Sequence, residues 1–220
     1  MKKIFIIAAI FTFVVTAPSY ASVLWYNGDF SDSGLSNEIN TAVSHSQVFD
    51  DFIVPSGGWT INTLWGNNQI NFTGITSAYW EIRSGVSSGD GGTIVSSGTN
   101  SATQSYLGTG IHYKVEVAGL NIFIPQGTYW LSVAPIGSGG GQSWLDNTIG
   151  VNAVGTPAGN NDNAFWYSSY WAKNFEPAQS DWDFSMGVGG TLGGGVVPEP
   201  ATMALLGMGL IGLAGLRRKE

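Results

Sequence analysis

Acid–base chemistry in this chain would have to come from two histidines, His45 and His112, and from carboxylates in close pairs, Asp50 with Asp51 and Asp181 with Asp183. A glycosidase needs two carboxyl groups held at a set separation across a cleft, and these four aspartates are the set on offer. Asp181 and Asp183, however, share one face of the strand pattern DWDFSMGV, which reads as a solvated edge. His112 falls on the polar side of IHYKVEV beside Lys114, where a surface histidine is expected. There is no Gly-x-Ser-x-Gly elbow, no His-Glu-x-x-His and no phosphate loop. No catalytic residue is assigned, and glycan hydrolysis is the third of three functional readings.

Two further groups could bind rather than react. The turns NGDFSD (27–32) and NNDN (160–163) offer oxygen donors at Asp29, Asp32 and Asp162, suited to a structural calcium ion and to no softer metal. Neither has the spacing of an EF-hand, and ordinary Asn and Asp turns account for both without metal. No other cofactor is expected. The stretch AFWYSSYWAKNF (164–175) gathers more aromatics than one strand face can bury. Trp166, Tyr167, Tyr170 and Trp171 are candidates for stacking on sugar rings, with the adjacent NNDN turn bonding hydroxyls. The alternative is that the segment closes one end of the fold. Because residues five apart on a strand face opposite ways, Trp166 and Trp171 are expected to split, one buried and one exposed.

The elements that position these groups are strands. All nine tryptophans lie between residues 22 and 197, among abundant Gly, Ser, Asn and Thr. Period-two alternation puts Ala78, Trp80 and Ile82 inward with Tyr79, Glu81 and Arg83 outward. It also puts Ile111, Tyr113, Val115 and Val117 opposite His112, Lys114 and Glu116, and Trp182, Phe184, Met186 and Val188 opposite Asp181, Asp183 and Ser185. Turn clusters such as PSGG (55–58) and SSGDGG (87–92) separate the runs. The expectation is an all-β domain over 22–188, an antiparallel β-sandwich of jelly-roll type, followed by a Gly-rich linker over 189–197. An ice-binding face would need a regular Thr array of fixed period, which is absent.

Composition narrows the partners. Between residues 22 and 197 three cations, Arg83, Lys114 and Lys173, face thirteen carboxylates, a formal charge of −10. Such a surface repels phosphate backbones, so nucleic acid is excluded as a partner. There is no cysteine, hence no disulfide and no thiolate metal site.

Both ends read as addresses. Lys2 and Lys3, the apolar stretch that follows, and small residues flanking Tyr20 form a secretory signal peptide over 1–21, with cleavage expected between Ala21 and Ser22. Secretion machinery and signal peptidase are therefore partners. At the other end Pro198-Glu199-Pro200 precedes an apolar run, 201–216, whose helix would span about 24 Å before the cations Arg217, Arg218 and Lys219. That length is marginal for a transmembrane helix, and the cations would hold its end in the cytoplasm.

This three-part tail, 198–220, resembles the PEP-CTERM sorting signal of bacterial surface proteins, also labelled an ice-binding protein C-terminal domain. The resemblance implies a precursor anchored in the inner membrane and cut near Pro198, Glu199 and Pro200 by the protease exosortase. It also implies delivery to the cell surface or extracellular matrix and association with biofilm exopolysaccharide. Through DDFIVPSGGWTINTLWG (50–66), GTYWLSV (127–133) and DWDFSMGVGG (181–190), the body more loosely resembles uncharacterised sandwich domains that precede this tail. The leading reading is a non-enzymatic exported surface or matrix protein, and the alternative is a carbohydrate-binding module.

Overall fold

The computed structural model describes residues 22–40, 45–72, 74–137, 141–179 and 182–193. These hold fourteen strands and no helix: β1 (Ser22–Tyr26), β2 (Phe30–Ser36), β3 (Glu38–Asn40), β4 (His45–Val54), β5 (Trp59–Ile70), β6 (Ser77–Ser84), β7 (Thr93–Tyr106), β8 (His112–Val117), β9 (Ile122–Ile124), β10 (Gly127–Gly137), β11 (Ser143–Thr148), β12 (Phe165–Ser168), β13 (Lys173–Pro177) and β14 (Met186–Leu192). Every pairing is antiparallel except β10 with β3. The ladder is continuous, running β1-β14-β5-β8-β7-β6-β10-β3-β4-β12-β13, with β4 also paired directly to β10. The all-β, antiparallel expectation holds; β9 and β11 branch from β5 and β2 from β11, and this order carries no jelly-roll assignment. The signal peptide, the Pro-Glu-Pro segment and the expected helix 201–216 lie outside the described residues.

The ladder folds over on itself through β7. Thr93–Ser101 pair with β6, whereas Ala102–Tyr106 pair with β8, so one long strand passes from one half of the ladder to the other. The two halves enclose one apolar core. Phe52 of β4 meets Trp25 of β1 at 5.6 Å between ring centroids, lies parallel to Trp59 of β5 at 5.9 Å, and touches Tyr129 of β10 at 5.8 Å. A smaller second core of Phe49, Val86, Trp130, Phe165 and Phe175 forms where β13 doubles back. Arg83 covers it, its guanidinium 5.4 Å from the Phe49 ring and 5.1 Å from Phe175, so the cation caps aromatic faces and needs no ion partner beyond Glu81.

Alternation identifies the inward sets correctly: Ala78, Trp80, Ile82, Val115, Val117, Phe184, Met186 and Val188 are all buried. It fails on the opposite faces, because a period of two tells sides apart and not whether the second side is covered. Glu81, His112, Asp183 and Ser185, expected outside, are buried, while Ile111, expected inside, is exposed in the turn before β8. β5 adds an irregularity that alternation hides. Thr63 pairs with Gly189 and Ile61 with Gly190, so Asn62 is an extra residue, a β-bulge that brings Ile61 and Leu64 onto the same side. Leu120 satisfies the bulge, its N–H donating to the Asn62 carbonyl while Asn62 Nδ2 donates back to the Leu120 carbonyl.

The final strand extends into the segment read as linker. Gly189 and Gly190 pair with both β5 and β1, and β14 ends only at Leu192. Gly190 is required there: a Cβ would collide with the Thr60 carbonyl oxygen of the neighbouring strand. Phe52→Ala removes the ring on which three aromatics converge. It should cost about 3–5 kcal/mol, read as a lowered urea midpoint at unchanged slope; a loss under about 1 kcal/mol would contradict this account of the core.

Candidate functional site

The aromatic segment folds as the hairpin β12–β13, attached to the edge of β4 through Phe165↔Phe49 and Ser168↔Ser46. Its rings divide three ways. Phe165 and Phe175 enter the second core, with Tyr167 packed against them. Trp166 is half-buried against the main core and donates its indole N–H to the Ser36 carbonyl at 3.1 Å. Tyr170 and Trp171 stand at the turn, 59% and 52% exposed, their rings T-shaped with centroids 4.8 Å apart. Trp166 is half-buried and Trp171 exposed, but Trp171 lies in the turn beyond β12, so the difference comes from the end of the strand and not from the alternation expected of residues five apart on one strand. A T-shaped pair offers one flat face at a time, not a continuous platform.

The paired aspartates meet in the interior. Asp50 accepts from Asn27 Nδ2 at 2.9 Å and from the Phe184 N–H at 2.6 Å, and its other oxygen accepts from the Asp51 N–H at 2.9 Å. Asp183 accepts from the Asn161 N–H, and Asn161 Nδ2 bonds Asp51 at 2.9 Å. The loop before β12 thus seals three carboxyl groups, Asp50 and Asp183 fully buried and Asp51 nearly so. Burial raises all three pKa values, Asp183 to about 6 and Asp50 well above the usual carboxylate range, where the Asp183 charge adds to the effect. Carboxyls sealed in this way are out of reach of a substrate. Asp181, the fourth of the set, lies outside the described residues.

A second buried carboxylate sits on the outer face of the β2, β11, β5 and β8 group. Asp146 bonds His112 Nδ1 at 2.8 Å and accepts from Gln69 Nε2 at 2.7 Å, and burial still lifts its pKa to about 6. His112 Nε2 reaches Asp32 at 3.2 Å, and Phe30 stacks on the imidazole at 4.7 Å. The expected surface histidine is thus buried, hydrogen-bonded to Asp146, with Asp32 beside it and the Phe30 ring of β2 over the imidazole. Thirty-four residues separate His112 from Asp146, so no local motif marks the pair.

The remaining calcium candidates have local partners. Asp29 accepts from Tyr26 Oη at 3.1 Å and Asn152 Nδ2 at 2.7 Å. Asp162 has φ 58° and its N–H bonds Asn160 Oδ1, the Asx-turn geometry of an ordinary loop. Among the described residues no group of three or more carboxylate or histidine side chains is arranged to hold a metal ion. His45 is an edge residue, bonding Gln47 at 2.9 Å and set edge-on to Tyr167.

Beyond the last described strand, residues 196–219 match the PEP-CTERM protein-sorting motif. The chain carries a PEP-CTERM sorting signal. Pro198, Glu199, Pro200, Arg217 and Arg218 all fall within the match, which marks an exported protein sorted by an exosortase. No curated protein and no solved structure matches the chain. The PEP-CTERM motif begins four residues after Leu192, so the tail follows directly on a strand paired on both sides.

For Asp183 and its neighbours the native pKa lies above the unfolded one. The native state is therefore favoured below the usual carboxylate value, and that contribution is lost as pH rises through about 6. Melting temperature should rise on going from pH 7.5 to pH 5. Asp183→Asn should gain about 1–3 kcal/mol at pH 7.5 and flatten the profile; an unchanged pH slope in that variant would show that the buried trio is not its source.

Proposed function

We propose that this is an exported cell-surface or matrix protein with no catalytic step of its own, its β body delivered intact by exosortase processing to biofilm exopolysaccharide. One observation carries the reading: both expected cut points border the ends of strands that pair with each other. Ser22 lies opposite Gly190 and donates its hydroxyl to the Gly190 carbonyl at 3.1 Å. The sheet is complete at Leu192, before the motif starts at residue 196. Cleavage at Ala21–Ser22 and near Pro198–Pro200 then leaves every described strand whole. A non-enzymatic role fits the burial of Asp50, Asp183 and His112.

Intact-mass measurement of the surface fraction tests this. The expected species starts at Ser22 and lacks residues 201–220; a surface species retaining Leu216 to Glu220 overturns the processing.

A second reading, carbohydrate binding at the hairpin turn, is favoured by the exposure of Tyr170 and Trp171. Trp171→Ala should weaken retention in polysaccharide-containing gels at unchanged melting temperature. Trp166→Ala should instead cost about 2–3 kcal/mol through lost packing and the lost bond to Ser36. Equal stability losses in both would count against a sugar-facing turn.

A further inference from the structure

The outer face of β2, β11 and β5 carries a cleft of about 420 Å³ lined by Asp32, Gly34, Gln69, Asn71, Ile111 and Trp144. Its size is that of a small-molecule site, roughly 300–1,000 Å³. The sheet builds it: Trp144 is paired with Ser36 on one side and Gln69 on the other, and Asp146 with Gly34. Gly34 has no room for a side chain, since a Cβ would run into the Leu145 carbonyl oxygen, so β2 closes tightly there without a side chain to fill the cleft.

The polar groups around the indole are fixed in advance. Asp146 holds Gln69 by its amide nitrogen, leaving the Gln69 carbonyl oxygen to accept. The Gln142 N–H holds Asn71 by its oxygen at 2.6 Å, leaving the Asn71 amide nitrogen to donate. Asp32, its side chain 93% exposed, stands at the rim with one carboxylate oxygen 3.2 Å from Nε2 of His112, which is 6% exposed. An exposed aspartate ordinarily rotates in solvent. Here the imidazole of His112, itself hydrogen-bonded to buried Asp146, lies beside it and leaves the carboxylate open to solvent at the rim.

The geometry points to a binding site for a neutral sugar ring, resting on the reading of polysaccharide as partner and separate from the hairpin turn. One indole offers an apolar face for the axial C–H groups of a pyranose. The carboxylate accepts from hydroxyls, and one amide donor and one amide acceptor complete the set. No Lys or Arg lines the cleft, and His112 is engaged by two carboxylates, so an anionic ligand has no counter-charge there. With only Ile111 and Trp144 apolar, a purely hydrophobic ligand would leave the polar lining unmatched.

Affinity electrophoresis of the exported protein through gels containing β-glucan, mannan, xylan or dextran, with alginate as the anionic comparison, tests the site. At least one neutral polymer should retard the protein and alginate should not. Trp144→Ala should reduce apparent affinity roughly tenfold or more, and Asp32→Asn several-fold at unchanged melting temperature, its side chain being exposed. Asp32→Asn guards against a Trp144 variant that fails to fold. Retardation that survives both substitutions but is lost in Trp171→Ala overturns the cleft and leaves polysaccharide association standing at the hairpin. No retardation in any neutral polymer overturns both, and stronger retardation by alginate overturns the assignment of a neutral ligand.

Discussion

The hydrogen bonding of β5 is the constraint on which the rest of the fold depends. One edge of this strand pairs first with β9 at Trp59–Ile61 and then with β8 from Leu64 to Gln69; the other pairs first with β14 and then with β11. Each change of partner has to dispose of backbone groups that no strand can reach. On the first edge the Asn62 bulge and Leu120 exchange two bonds. On the second, Asn67 bonds Ser185 through both its backbone and its side chain, at 2.9 Å and 2.8 Å. Two asparagines at the partner switches thus let one strand organise four others and keep the aromatic core beneath it continuous.

The same economy explains why polar residues are buried where a half-exposed sheet would have left them in water. The loop before β12 and the strand β2 lie over sheet faces that alternation makes hydrophilic. Burying them is tolerable because Asn27, Asn161, Gln69 and His112 supply bonds to the trapped carboxylates. Desolvation is offset only in part, since Asp146 and Asp183 both remain shifted to about 6. The cluster around Asp183 closes the interior, whereas the group around His112 points outward to a cleft. Identical residue types thus take different roles according to whether a path to solvent survives.

Export and fold are matched through the chain ends. A chain without cysteine has no disulfide to hold it, so its structure rests on packing and backbone bonds alone. β1 and β14, the first and last of the described strands, pair with each other and bring the two ends of the described chain together.

The sequence alone determined the class of structure and the destination of the protein. Alternating runs and Gly-rich turns specify antiparallel strands because side-chain direction along a strand is a local property. The sorting signal is legible because it is a contiguous pattern at residues 196–219. What only the tertiary structure decided was which polar faces are covered and which distant groups meet. Nothing near His112 announces Asp146 or Asp32, and nothing near Asp50 announces Asp183, since each pair joins residues far apart in the chain. The Asn62 bulge was hidden because a one-residue insertion becomes visible only against its partner strand. Burial on the second face of a sheet depends on what lies over it, and that is a property of the whole chain rather than of any window along it.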